Sequence, residues 1–347
     1  MYINFMIDEN KNIYIANWLL LITLLLILMI AVGGITRLTD SGLSITKWDL
    51  FTGVLPPIGA DQWESAFSLY KEIPEYILLN SSMTMQEFKF IYFWEYIHRL
   101  LGRLIGLFFI LPLIFFTIKK FVPKKNDIIY FYFIFLLICF QGFIGWYMVS
   151  SGLVNRVDVS HYRLSLHLFL AFVILSLIFW NYLSYINLNF PKKKIFIYLP
   201  IIFLFLIFLQ IIFGAFVSGM DAGMIYNSWP LMGSSYFPDD NSIRNFFKLS
   251  VFNDPSLVQF IHRNLAYLIG IFYLIIFFYI KKNQLNDFNK TFYLIGLLLL
   301  LQIILGILTL LSGAQILLAS MHQISSIFLV LATIYLVFIN LKTSQQL

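Results

Sequence analysis

Cysteine and charge are what this chain has least of. One residue in 347 is cysteine, Cys139, and 12% carry charge. A single cysteine excludes an intrachain disulfide and any cysteine-built metal site. Because it lies inside an apolar run, Cys139 is expected to be a small buried hydrophobe. Scarce charge, 60% hydrophobic residues and a mean hydropathy of +0.85 exclude an ordinary soluble globule. The sequence has no glycine-rich phosphate loop and no zinc-type HExxH, and no cysteine–histidine nucleophile can be assembled. Its N-terminus, MYINFMIDENKN, lacks the basic region and cleavage site of a signal peptide, so the first apolar run is expected to stay in the mature chain.

What the chain has in abundance is apolar length. Eight runs are long enough to cross a hydrocarbon core: 16–36, 89–118, 128–150, 161–186, 195–219, 257–280, 291–312 and 316–341. The expectation is an all-α polytopic membrane protein. The net charge of +6 comes from lysines in three short connections, KKFVPKKND (119–127, with Lys124), NFPKKK (189–194) and KKNQLNDFNK (281–290). By the positive-inside rule these are cytoplasmic, as are both termini, and the charge reports orientation rather than nucleic-acid binding. The opposite side receives two long loops, 37–88 and 220–256, carrying Asp40, Asp49, Asp61, Glu64, Asp221, Asp239 and Asp240. Their tryptophan, proline and glycine suit ordered caps better than floppy linkers.

The second half repeats the first. Asp40-Ser41-Gly42 followed by Trp48 returns 181 positions later as Asp221-Ala222-Gly223 followed by Trp229. His98-Arg99 returns 164 positions later as His262-Arg263, and Gln141, Gly145, Ser151 and Gly152 return 161 positions later as Gln302, Gly306, Ser312 and Gly313. Four spans per half make the repeat parallel, about an axis along the membrane normal. Two pseudo-symmetric four-helix bundles are therefore expected, 1–190 and 191–347.

Each half places two histidines inside apolar spans. His98 is answered by His167, and His262 by His322. An intramembrane histidine is costly unless it is paired, so it reads as functional or as an interhelical hydrogen-bonding group, and paired neutral imidazoles are good axial ligands for a haem iron. Gly102 and Ala266, one turn beyond His98 and His262, leave room for a planar macrocycle. Arg99, Arg103, Arg163 and Arg263 surround the histidines, where they either pair with haem propionates or snorkel to the interface. His161 competes with His167, but His167 lies deeper in its run and matches His322 better, leaving His161 at the rim. The halves differ at one position: Glu95 lies three residues before His98, whereas Gln259 precedes His262. A buried carboxylate beside a haem ligand suits proton transfer or stabilisation of a cationic intermediate; its other reading is an ion pair with Arg99 or Arg103.

The segments GGITRLTDSGLSITKWDLFTGVLPP (Gly33–Pro57), FWEYIHRLLGRLIG (Phe93–Gly106), QGFIGWYMVSSGL (Gln141–Leu153), YRLSLHL (Tyr162–Leu168), GAFVSGMDAGMIYNSWPLM (Gly214–Met232), FIHRNLAYLIG (Phe260–Gly270) and MHQ (Met321–Gln323) resemble the haem A synthase family over nearly the whole chain. The resemblance implies an oxidoreductase that converts the C8 methyl of haem O to a formyl group, and the absence of a basic transit segment favours a bacterial inner membrane over a mitochondrial one. It implies successive hydroxylations with water as oxygen source, an electron acceptor, and haem O synthase as a candidate partner. It places a resident haem b on His262 and His322, with Arg263 beside it. The substrate haem falls to His98 and His167 with Arg99, Arg103 and Arg163, and the essential glutamate to Glu95. Some members carry a cysteine pair in outer loops; this chain resembles the cysteine-free branch. Two other readings use the same histidines: a di-haem electron-transfer cytochrome, which leaves Glu95 unexplained, and a haem carrier, which lacks a polar path through the inner half.

Overall fold

The computed structural model describes residues 2–48, 53–122, 125–154 and 156–343, with side chains from residue 12 onward; Asp49 and Lys124 lie outside the described residues. Among them are eight helices long and apolar enough to cross a membrane: α1 Asn12–Leu38, α2 Met85–Ile118, α3 Lys125–Val149, α4 His161–Ser184, α5 Tyr198–Gly219, α6 Pro255–Lys282, α7 Asn286–Leu311 and α8 Ile316–Lys342. All reach or exceed the roughly 20 residues needed to cross a hydrocarbon core. The protein is an all-α polytopic membrane protein.

Local signals set where the helices begin. At α2, Thr84 and Glu87 form a reciprocal capping box, the Glu87 carboxylate accepting from Thr84 N at 2.7 Å. At α6, Asp254 accepts from Leu257 N and Pro255 occupies the first turn, where its missing N–H costs nothing. Pro112 is accommodated within α2.

The helices arrange by burial. In α8, 61% of the apolar window is buried, and in α1 44%, against 17–22% in α2, α3, α6 and α7. α1 packs on α2, α4 and α8, while α5 packs on α4, α6 and α8. So α1, α4, α5 and α8 form the middle, and the other four lie outside with one face apolar and exposed, as at Leu136, Phe278 and Leu297. A single cluster of buried side chains runs from Ile15 to Ile339 through both halves. Cys139 is a correction: it lies exposed on the outer face of α3. That face meets no other helix, so the cysteine fills no core position.

Alternating spans put all connections between even- and odd-numbered helices at two opposite ends. The end opposite the lysine-rich connections carries the long loops, whose described residues form helices and turns. The first contains helices Ala60–Tyr70 and Pro74–Leu78. It has its own core of Leu43, Phe67, Tyr70, Ile73, Phe88, Ile91 and Val159. The second loop is built from short turns, including Ala222–Met224 and Leu249–Asn253. All four intramembrane histidines lie in the halves of their helices nearest these loops.

Candidate functional site

The imidazoles of His98 on α2 and His167 on α4 face each other, with ring centres 6.3 Å apart and planes inclined at 62°. Each is seated against a glycine from a neighbouring helix. A methyl added at Gly33 of α1 would fall 2.9 Å from His98 Cε1, and one at Gly145 of α3 would fall 3.1 Å from His167 Cε1. The second half uses the same parts: Gly214 of α5 would place a methyl 3.2 Å from His262 Cε1, and Gly306 of α7 one 3.1 Å from His322 Cε1. Every helix of a half thus contributes, two supplying histidines and two supplying the bare backbone behind them. Glutamines fix the histidine backbones from adjacent helices: Gln141 Nε2 donates to His167 O at 2.9 Å, Gln302 Nε2 to His322 O at 2.9 Å, and Gln210 Nε2 to His262 O at 3.1 Å.

These residues fit a haem better than a bare ion. All four histidines have a buried Nδ1 without a protein partner. A buried polar nitrogen left unpaired is expensive, and four at matching positions mark sites that protein groups alone do not complete. Among the described residues no group of three or more His, Cys, Asp or Glu could hold a metal ion, so a bare ion would have two ligands at best. A macrocycle supplies the remaining donors. An imidazole nitrogen lies about 2 Å from a bound metal, which puts two axial imidazoles about 6 Å apart between centres, the separation of His98 and His167.

Glu95 is 2% exposed and fully engaged. Its Oε2 accepts from Ser44 Oγ at 2.7 Å and from Ile45 N at 2.8 Å. Its Oε1 accepts from Arg99 Nε at 3.0 Å and from the Arg99 guanidinium again at 2.5 Å. Arg99 in turn donates to the carbonyls of Ile45 and Lys47, and its guanidinium lies 4.7 Å from the centre of the Trp48 ring. In the second half Arg263 donates to the carbonyls of Tyr226 and Ser228, each 181 positions beyond its counterpart. There Gln259 stands in for the carboxylate, bonded to Arg263 and to Tyr226 O. Both arginines therefore clasp the loop that follows the preceding helix, one through a charged partner and one through a neutral partner.

The remaining predicted residues are spread around this centre. Arg103 lines a cleft of about 280 Å³ together with Lys47, Tyr92, Tyr96 and Arg99. Arg163 donates to Tyr147 O at 2.6 Å and lies over the Tyr147 ring. His161 stands apart from the other histidines: its Nε2 lies 3.1 Å from Phe252 O, and its ring packs against Phe216.

Sequence reasoning missed the two seats on α1 and α5, Gly33 and Gly214, and the clamp at Gln210. It also missed Arg37, which bonds Asp40, Ser218 O and Asp221 and so joins the ends of α1 and α5. The signal for these residues was present, since Gly33 and Gly214 are also 181 positions apart.

Comparison with known proteins gives a consistent result. The family model COX15-CtaA, described as cytochrome oxidase assembly protein, matches residues 16–334. A protein of Pelagibacter ubique (strain HTCC1062) named "Heme A synthase" is 50% identical over 340 residues, covering 97% of this chain and 98% of the relative. Proteins with the same name from Rickettsia bellii (strain RML369-C) and Rickettsia felis (strain ATCC VR-1525 / URRWXCal2) are 44% and 43% identical. They cover 94% and 95% of this chain, and 97% and 98% of their own lengths.

Proposed function

The chain belongs to the COX15-CtaA family of cytochrome oxidase assembly proteins, and on that premise we propose that it is a membrane oxidoreductase of haem A biosynthesis, converting haem O to haem A. The reading rests on one observation above the others. Two histidine pairs are seated on glycines in the same way, yet only the pair in 1–190 has a buried carboxylate, Glu95, where the other half has Gln259. One site is equipped for chemistry and the other for holding a cofactor.

In this reading His98 and His167 hold the substrate haem in the half 1–190, and His262 and His322 hold a resident haem b in the half 191–347. When bound, the haem b supplies one-electron redox capacity. Oxidation of the C8 methyl balances as methyl plus water giving formyl, four protons and four electrons; the hydrogens leave as protons and the electrons pass to an external acceptor. Removing electrons from a carbon in a low-dielectric site builds positive charge, which a nearby fixed carboxylate opposes. Glu95 supplies that charge, and its bonds to Ser44, Ile45 and Arg99 hold it in place without reorganisation. Arg103, which lines the cleft beside the first histidine pair, offers a cation toward the substrate's carboxylates, whereas Arg99, Arg163 and Arg263 are engaged by protein carbonyls and hold the surroundings of the two sites. The protein works in a bacterial inner membrane with both termini cytoplasmic and the haem sites toward the outer face. Haem O synthase is a candidate source of substrate.

The purified chain, given haem O and a one-electron acceptor under argon, is expected to form haem A with four electrons removed per product. An absolute requirement for dioxygen would overturn the water-based reaction.

A further inference from the structure

Three of the four histidines sit on backbone that another helix holds by a hydrogen bond. Gln141 clamps His167 O, Gln302 clamps His322 O, and Gln210 clamps His262 O while its amide nitrogen also lies 3.2 Å from His262 Nε2. The residue 181 positions before Gln210 is Met29 on α1, and Gly33 stands in the same relation to Gly214. Met29 reaches the corresponding place on α2: its Cε lies 3.5 Å from where a methyl on Gly102 would stand, one turn beyond His98. A thioether offers no N–H, so among the described residues the His98 carbonyl receives no donor from another helix. The two halves otherwise agree in the glycine behind the ring and in the arginine that follows the histidine.

We propose that His98 is the yielding ligand of the substrate site, and that Met29 in place of a glutamine is what lets it yield. This rests on the haem reading above. A resident haem never needs to leave, and both of its ligands are clamped. A substrate haem must enter and its product must depart, so one of its two axial contacts has to give way. His167 is clamped by Gln141 and stays fixed. The His98 ring, backed by the flexible Met29 side chain and by Gly102, swings aside instead, while Glu95, Arg99 and the Thr36 bond to Trp94 O keep the α2 backbone in place. The gain is release rate rather than bond chemistry, since both ligands are imidazoles.

The test swaps the clamp between halves. Full-length protein carrying haem O and haem b is mixed with excess apomyoglobin, and the haems remaining are extracted over time and separated by chromatography. Native protein is expected to lose haem O faster than haem b. An interhelical hydrogen bond inside a membrane is worth a rate factor of roughly threefold and at most about twentyfold. Met29→Gln should slow haem O loss by that factor and leave haem b loss unchanged, with Met29→Leu behaving as native. Gln210→Met should speed haem b loss. If Gln210→Met does not fold, Met29→Gln decides alone, because it installs a residue the second half already accommodates. Unchanged haem O loss in Met29→Gln overturns this inference and leaves the haem reading standing. A native chain that retains neither haem overturns both.

Discussion

At the scale of single residues, the chemistry depends on side chains that are absent as much as on those present. Gly33 and Gly145 leave the space that the His98 and His167 rings occupy. Gly33→Ala places a methyl 2.9 Å from His98 Cε1, so the ring must turn or α1 must shift, at a cost of about 1–3 kcal/mol. The expected outcome is loss of haem from the first site with the second intact, read as half the haem per protein and an unchanged low-spin spectrum from what remains. Glu95 shows the opposite case, a carboxylate where the second half has the amide of Gln259. Glu95→Gln keeps the shape and one acceptor, so it should retain both haems yet lose conversion of haem O by at least about 100-fold, the scale of a lost electrostatic contact at a reaction centre. A variant with normal turnover would remove Glu95 from the mechanism.

A second buried carboxylate lies outside the spans. Glu75 is 4% exposed, with Tyr70 OH at 3.1 Å. Burial pushes its carboxyl from 4.5 up to about 8, against the lowering effect of the Tyr70 hydrogen bond. The folded-state value is the higher one. The stability lent by protonated Glu75 is therefore complete below about pH 4.5 and is lost as pH rises through about 8. Hydrogen exchange in residues 60–80 should quicken between pH 6 and pH 9 beyond its intrinsic pH dependence, and Glu75→Gln should abolish that excess.

At the scale of elements, the two arginine clasps explain how loops become caps. Arg99 and Arg263 reach back from α2 and α6 to carbonyls of the segments leaving α1 and α5, fixing those segments beside the histidines. Arg99→Ala leaves Glu95 buried without its cation, the costly way to break such a pair, at about 3–5 kcal/mol. Arg263→Ala removes a cation from a neutral partner and should cost less. Limited proteolysis should therefore cut near residues 43–48 in the first variant far sooner than near 226–231 in the second. The histidines, the arginines and the Asp-x-Gly-x5-Trp repeat were all legible in the sequence. The arginines' partners were not, because a cation beside a haem ligand reads equally well toward a propionate or toward a carbonyl until the path of the loop is known. The glycine seats were hidden for a similar reason: a glycine in an apolar helix declares nothing until the neighbour it faces is placed.

At the scale of the whole molecule, hydropathy located the eight spans because a bilayer permits few alternatives to a continuous apolar helix. It could not locate the middle. That α1, α4, α5 and α8 share one buried core across both halves follows from packing, and apolar runs look alike whether they face lipid or protein. α1 seats His98 through Gly33, and its neighbouring Gly34 lies against Gln323 of α8, next to His322. The two histidine pairs therefore meet through one helix.

The most direct test of the account is chromatography of haems extracted from membranes of a host that makes haem O but not haem A, with and without this chain. A new haem A peak that depends on the chain and disappears with Glu95→Gln is expected. Unchanged haem O, from a chain that is inserted, carries a low-spin haem b spectrum and has an electron acceptor at hand, would contradict it.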